Sequence, residues 1–152
     1  MSENGHANLT SKAQKSLECW LQMIRTYEYL QTQVAALLQS HNLTVPQFEV
    51  LSSLKSAECP NQQELAQRLQ VTKGNLVGLI DRLAERGWVE RVQVPGDRRV
   101  NRVRITDGGR DMFEKAFPEQ LGVVEKMMAD LDESELKALE GLLKRLTPCD
   151  AG

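Results

Sequence analysis

The sequence predicts a mainly α-helical domain carrying one small β-hairpin, and three observations predict it. Apolar residues recur at helical spacing along most of the chain. Strand-like alternation is confined to two short runs, WVERVQV and VNRVRIT, separated by PGDR. The longest helical patterns lie at the two ends. The 152 residues fit a single domain over 12–146, with residues 1–11 and 147–152 expected as flexible tails.

The first helix is expected over Lys12 to about Ser40. Leu17, Trp20, Ile24, Tyr27, Val34 and Leu38 form one stripe, and Cys19, Met23, Leu30 and Leu37 form a second beside it. A helix apolar over so much of its circumference needs more than one packing partner, and in a small domain one of these is a second subunit. In HNLTVPQFEVLSSL, Thr44 is the expected N-cap and Pro46 suits the first turn. Phe48, Leu51 and Leu54 give that helix its apolar face. Asn61 followed by Glu64 three residues later has capping-box spacing. Thr72 then caps a helix whose inner face is Leu76, Leu79, Ile80 and Leu83, and Gly87 stops it. In the second strand Val103 and Ile105 share one face, and Arg102 and Arg104 the other. Thr106 caps a helix to about Ala129, inside which Pro118 is expected to force a kink or a restart. Asp132 and Glu135 open a last helix with Leu136, Leu139, Leu143 and Leu146 as its stripe.

The net charge of −2 conceals an asymmetry. Residues 64–104 carry 9 basic against 5 acidic side chains, whereas residues 105–152 carry 6 against 11. A basic middle third on an acidic chain suits a polyanion met at one face, or else a solvated surface. No apolar run approaches the roughly 20 residues of a membrane helix, and the polar N-terminus lacks the apolar core of a secretory signal, so a cytoplasmic protein is expected. Three widely spaced cysteines, Cys19, Cys59 and Cys149, argue against a disulfide framework or a zinc site. There is no nucleophile–base set, phosphate loop or metal cluster, so neither catalysis nor a cofactor is expected.

Two short helices within 61–86, joined by Gln70 to Thr72, have helix-turn-helix geometry, and the hairpin that follows makes the unit a winged helix. The second helix fits a DNA major groove, with its N-terminal turn at the base edges. Gly74 and Gly78 fall on its outer face. They weaken the helix by roughly 1 kcal/mol each relative to alanine, and they also let the backbone approach a surface closely. The arginine-rich hairpin would lie along phosphates and the minor groove. The candidate contact residues are Thr72, Lys73, Asn75, Val77 and Arg82 on the helix, and Asp97, Arg98, Arg99 and Arg102 on the wing. For Arg102 and Arg104, pairing with acidic neighbours is the competing reading. Docking of another protein on the winged helix is the alternative to DNA.

The stretches NQQELAQRLQVTKGNLVGLIDRLAERGWVERV and DRRVNRVRITDGG resemble the multiple-antibiotic-resistance regulator (MarR) family of winged-helix repressors. The second stretch carries the family's wing pattern, Asp97, Arg99, Ile105, Thr106 and Gly109. Two positions depart from the family: Gln70 stands where such turns often carry glycine, and Gly78 where many members carry a larger polar residue. The resemblance implies a homodimer with a DNA-binding lobe at about 44–106 and dimerisation helices at about 12–40 and 107–146. It also implies release from a pseudo-palindromic operator by a small phenolic or lipophilic ligand or by an oxidant. Trp20, Met23, Tyr27 and Phe48 are the candidate effector pocket, against plain core. Cys19 is the candidate redox residue, since peroxide-sensing members carry a cysteine in the first helix. Its neighbour Glu18 disfavours a thiolate, so a buried structural cysteine is expected instead.

Overall fold

The structure, a computed structural model, describes residues 10–56, 59–94 and 97–146, and only the backbone of 94 and 97–101. Six helices and one hairpin follow in the order α1 (Ser11–Ser40), α2 (Val45–Ser56), α3 (Gln62–Arg68), α4 (Lys73–Glu85), β1 (Val89–Val94), β2 (Asp97–Ile105), α5 (Asp107–Met127) and α6 (Glu133–Leu146). Polar side chains set most of the helix starts. The Thr10 hydroxyl accepts from the Ala13 amide at 3.2 Å, so α1 begins one residue earlier than expected. Thr44 and Gln47 cap each other's amides at 3.4 and 3.0 Å. Asn61 with Glu64, and Asp132 with Glu135, each form the reciprocal pair that their spacing predicts.

The core lies under α2, α3, α4 and the base of the hairpin. Leu38, Leu51, Leu65, Leu76, Ile80, Leu83 and Val103 are fully enclosed there. Val103 and Ile105 face inward while Arg102 and Arg104 remain exposed, which is the expected alternation. One connection has no local signature in the sequence. The Val103 amide donates to the Pro60 carbonyl at 3.1 Å, and Asn61 bridges to Arg102. The wing is thereby pinned to the segment entering α3.

The junction of wing and α5 is built around Thr106. Its amide donates to the Trp88 carbonyl at 3.0 Å, and its hydroxyl donates to the Gly87 carbonyl at 2.6 Å. The same hydroxyl accepts from the Gly109 amide at 3.1 Å. Gly87 has φ +70, the left-handed conformation that ends α4. At Gly109 any side chain would run into the Trp88 carbonyl and the Ile105 side chain. The Ile105-Thr106-x-x-Gly109 pattern is therefore a packing requirement, in which α5 approaches β1 as closely as backbone permits.

Two boundaries differ from expectation. α5 does not restart at Pro118 and is continuous through it. Proline removes one amide bond and leaves the Glu114 carbonyl without its helical donor, but both residues are exposed, so water can satisfy that carbonyl. The second strand begins at Asp97, three residues earlier than its alternation suggests. Pairing jumps from Gln93–Asn101 to Val94–Asp97, so Arg98 to Val100 form an irregularity within β2.

Candidate nucleic-acid interface

The outer surface of α4 is presented by burial of the inner one. Leu76, Ile80 and Leu83 are enclosed, which turns Thr72, Lys73, Gly74 and Asn75 to the exterior. The Thr72 hydroxyl accepts from the Asn75 amide at 3.3 Å, and so spends one lone pair on the helix while leaving its proton available. Asn75 is exposed with a free side-chain amide, Val77 is half-buried, and Arg82 is exposed. A Cβ added at Gly74 would meet nothing within 4 Å, and one at Gly78 would meet only the Arg82 Nη2 at 3.8 Å. Neither glycine is required by packing, so the backbone of α4 is open to close approach along this face. Lys73 and Arg82 have no acidic partner among the described residues.

The arginines of the hairpin divide into distinct roles. Arg104 is neutralised within the strand pair: its Nε and Nη2 both reach Glu90, at 2.9 and 2.7 Å. The Glu90 carboxylate raises the Arg104 guanidinium above its ordinary value, first through this hydrogen bond and then through its charge. Arg91 in β1 meets Asp81 of α4 at 2.6 Å and ties the wing to the helix. Among the described residues Arg102 has no carboxylate partner, and it turns back to donate to the Cys59 carbonyl at 3.1 Å. The competing reading thus holds for Arg104 and not for Arg102. The side chains of Asp97, Arg98 and Arg99 lie outside the described residues, as does the Pro95-Gly96 turn. Sequence reasoning missed Arg86, which stacks over the Trp88 ring at 3.6 Å and donates to the Asn42 carbonyl. Arginine two residues before tryptophan was the available signal.

The expected effector group does not assemble. Tyr27 and Phe48 line one cavity of about 750 Å³, between α1, α2, α5 and the turn after α3. Met23 instead lines a cleft of about 540 Å³ between the start of α1 and the end of α6. Trp20 belongs to neither and is 55% exposed. Met23 lies about one turn before Tyr27, on the part of α1 that faces the end of α6 rather than the lobe. Phe117 takes their place: it stacks on Phe113, which stacks on Phe48, with centroids 5.2 and 5.1 Å apart. Cys19 is exposed rather than buried and lines the same cleft as Met23. Only Val34 and Leu38, near the C-terminal end of α1, are buried. Cys59 is half-buried, and Cys149 lies outside the described residues. Among the described residues no group of metal-ligating side chains occurs and no helix is long and apolar enough to cross a membrane.

Comparison with known proteins meets this geometry directly. Residues 43–100 match the model of the MarR family. The chain is 36% identical over 109 residues to the multiple antibiotic resistance protein MarR of Escherichia coli (strain K12), covering 70% of this chain and 75% of that protein. Its fold is similar to that of a cysteine-to-serine mutant of E. coli MarR complexed with operator DNA. The TM-score is 0.78 at 29% identity, over 88% of this chain and 96% of that one. It is also similar to AbsC, a MarR family transcriptional regulator from Streptomyces coelicolor, with TM-score 0.79 and 26% identity over 91% and 93% of the two chains. An exposed α4, a wing braced against it, and identity sustained over most of the chain lead to one conclusion: this chain belongs to the MarR family of DNA-binding transcriptional regulators.

Proposed function

We propose that the chain acts as a homodimeric repressor that binds a pseudo-palindromic operator and is released by a small ligand. The observation that carries the DNA-reading part is the exposed first turn of α4, with open space over Gly74 and Gly78 beside the braced wing. Thr72, Lys73, Asn75 and Val77 take the base edges and adjacent phosphates, with Arg82 on the flank. Asp97, Arg98, Arg99 and Arg102 belong to the wing contact. Arg102 spends one guanidinium N–H on the Cys59 carbonyl and keeps the others for DNA. The dimer reading is supported by the leucine face of α6, none of whose residues is buried in the single chain. The release reading is supported by the cavity where α1 and α5 meet the turn before α4.

The test is selection of bound duplexes from random DNA. A two-fold dimer selects inverted repeats whose centres lie roughly 10 base pairs apart. Asn75→Ala relaxes the preference at one symmetric pair of positions and costs about 1–3 kcal/mol per half-site, because a paired amide on adenine is lost. Asymmetric single sites with no preferred spacing would refute the reading.

A further inference from the structure

The cavity beside Tyr27 and Phe48 carries more chemistry than an aromatic slot. On α2, Glu49, Ser52, Ser53 and Ser56 recur at i, i+3, i+4 and i+7, and all four line it. That spacing puts a carboxylate and three hydroxyls on one face of a helix whose other face holds Val50, Leu51 and Leu54 in the core. Across the cavity stands Arg68, in the last turn of α3. Neither Glu49 nor Arg68 has an ion-pair or hydrogen-bond partner among the described residues. Two exposed, unpaired charges of opposite sign therefore border one open groove that Tyr27 and Phe117 also line.

We infer that the effector site takes an aromatic zwitterion, a planar ring bearing both a carboxylate and an ammonium group. This rests on the ligand-release reading proposed above and names the ligand class for it. The Arg68 guanidinium offers a planar fork to a carboxylate, and Glu49 accepts from an ammonium. Tyr27 and Phe117 cover the ring faces, and the α2 hydroxyls take ring substituents. A ligand that is only anionic satisfies Arg68 but brings a second negative charge toward Glu49. A ligand that is only cationic has the converse defect toward Arg68. The occupant also reaches the DNA-reading unit. Arg68 lies two residues before Gln70, which lines the same cavity and holds φ +52 in the turn into α4. A ligand that draws Arg68 inward acts on the one left-handed residue between the two helices of the motif.

The test uses the full-length protein and ring-matched probes in two sets. In the first set, para-aminomethylbenzoate carries both charges, and para-toluate and para-methylbenzylamine carry one each. In the second set, phenylalanine, phenylpropionate and phenethylamine place the charges on a side chain. Calorimetric titration should show the zwitterion of at least one set binding about tenfold or more tighter than both single-charge relatives, as expected for one added charge-assisted bond. Glu49→Gln should abolish the preference over the carboxylate probe, and Arg68→Gln the preference over the amine probe. Circular dichroism of each variant verifies the fold, and Glu49→Asp should restore part of the preference. Equal affinity across both sets, no binding in either, or a preference surviving Glu49→Gln overturns the inference. Anisotropy of a labelled operator separates this from the underlying reading. If para-toluate releases DNA as well as the zwitterion does, and the space-filling Ser53→Trp blocks that release, the cavity is an effector site and only the charge pairing is wrong. If Ser53→Trp changes no ligand response at all, the ligand-release reading fails at this cavity as well.

Discussion

In α4, Leu76, Ile80 and Leu83 are fully enclosed, whereas α6, with five leucines in fourteen residues, buries none of its side chains. Both helices are amphipathic, so the difference is one of partners. The lobe built by α2, α3, α4 and the hairpin supplies its own ceiling and floor within the chain. The first half of α1 and all of α6 do not: Leu17, Trp20, Leu142 and Leu146 are between 42 and 66% exposed. At about 1.5–3 kcal/mol for each large apolar side chain taken out of water, a face of this kind is a strong drive to association. One region is finished by folding, and the other is left open for the partner copy proposed above.

The sharpest way to break this comparison is a charge on the unfinished face. Leu142→Asp loses leucine burial twice in a two-fold dimer and places a carboxylate in the interface. Its dissociation constant should rise by at least about a thousandfold. Sedimentation should then give 17.1 kDa in place of about twice that mass. A wild-type protein that sediments at 17.1 kDa would show that the leucine face has no partner copy.

The next largest effect belongs to the finished region. Gly109→Ala drives a methyl into the Trp88 carbonyl and the Ile105 side chain, neither of which can move without shifting β1 or β2. It should cost about 3 kcal/mol or more and lower Tm by roughly 10 °C. If the variant melts with the wild type, the close approach of α5 to β1 is not required. Gln70→Gly tests the same lobe most gently. It relieves a left-handed side chain worth roughly 1–2 kcal/mol and gives back about 0.5–1 kcal/mol in chain entropy, for a net gain of about 0–1.5 kcal/mol by chemical denaturation. A clear loss of stability would mean that the glutamine side chain holds the turn in a way its backbone does not reveal.

Local chemistry was legible in the sequence. The caps at Asn61, Thr72, Thr106 and Asp132 all occur as their spacing predicts, because a cap is decided within three or four residues. The alternation of Val103 and Ile105 against Arg102 and Arg104 was legible for the same reason. What depended on distant partners was not. Nothing near Pro60 announces that its carbonyl receives the Val103 amide, forty-odd positions away. The polar face of α2, Glu49, Ser52, Ser53 and Ser56, is spaced as regularly as Phe48, Leu51 and Leu54, but only the groove formed with α3 and α5 gives it a meaning. The single chain places Met23 in a different pocket from Tyr27 and Phe48, because a stripe on a long helix does not say where its neighbours end. The arginine-rich turn pointed to the wing, but only long-range pairing assigns Arg104 to Glu90 and Arg91 to Asp81.

The Thr106 hydroxyl, bonded to Gly87 on one side and Gly109 on the other, bears on how such proteins can be recombined. The visible boundary between strand and helix at 105–107 looks like a natural crossover point for exchanging the DNA-reading segment between relatives. A breakpoint there keeps this joint only where both parents carry the threonine and the glycine, and it draws Phe48 and the Phe113 ring stacked on it from different parents. The packed unit is longer than its outline: the stack of Phe48 on Phe113 carries it through the first two turns of α5, past that buried ring. Chimeras cut after that ring keep the end of the recognition helix, the wing and the root of α5 as one inherited piece.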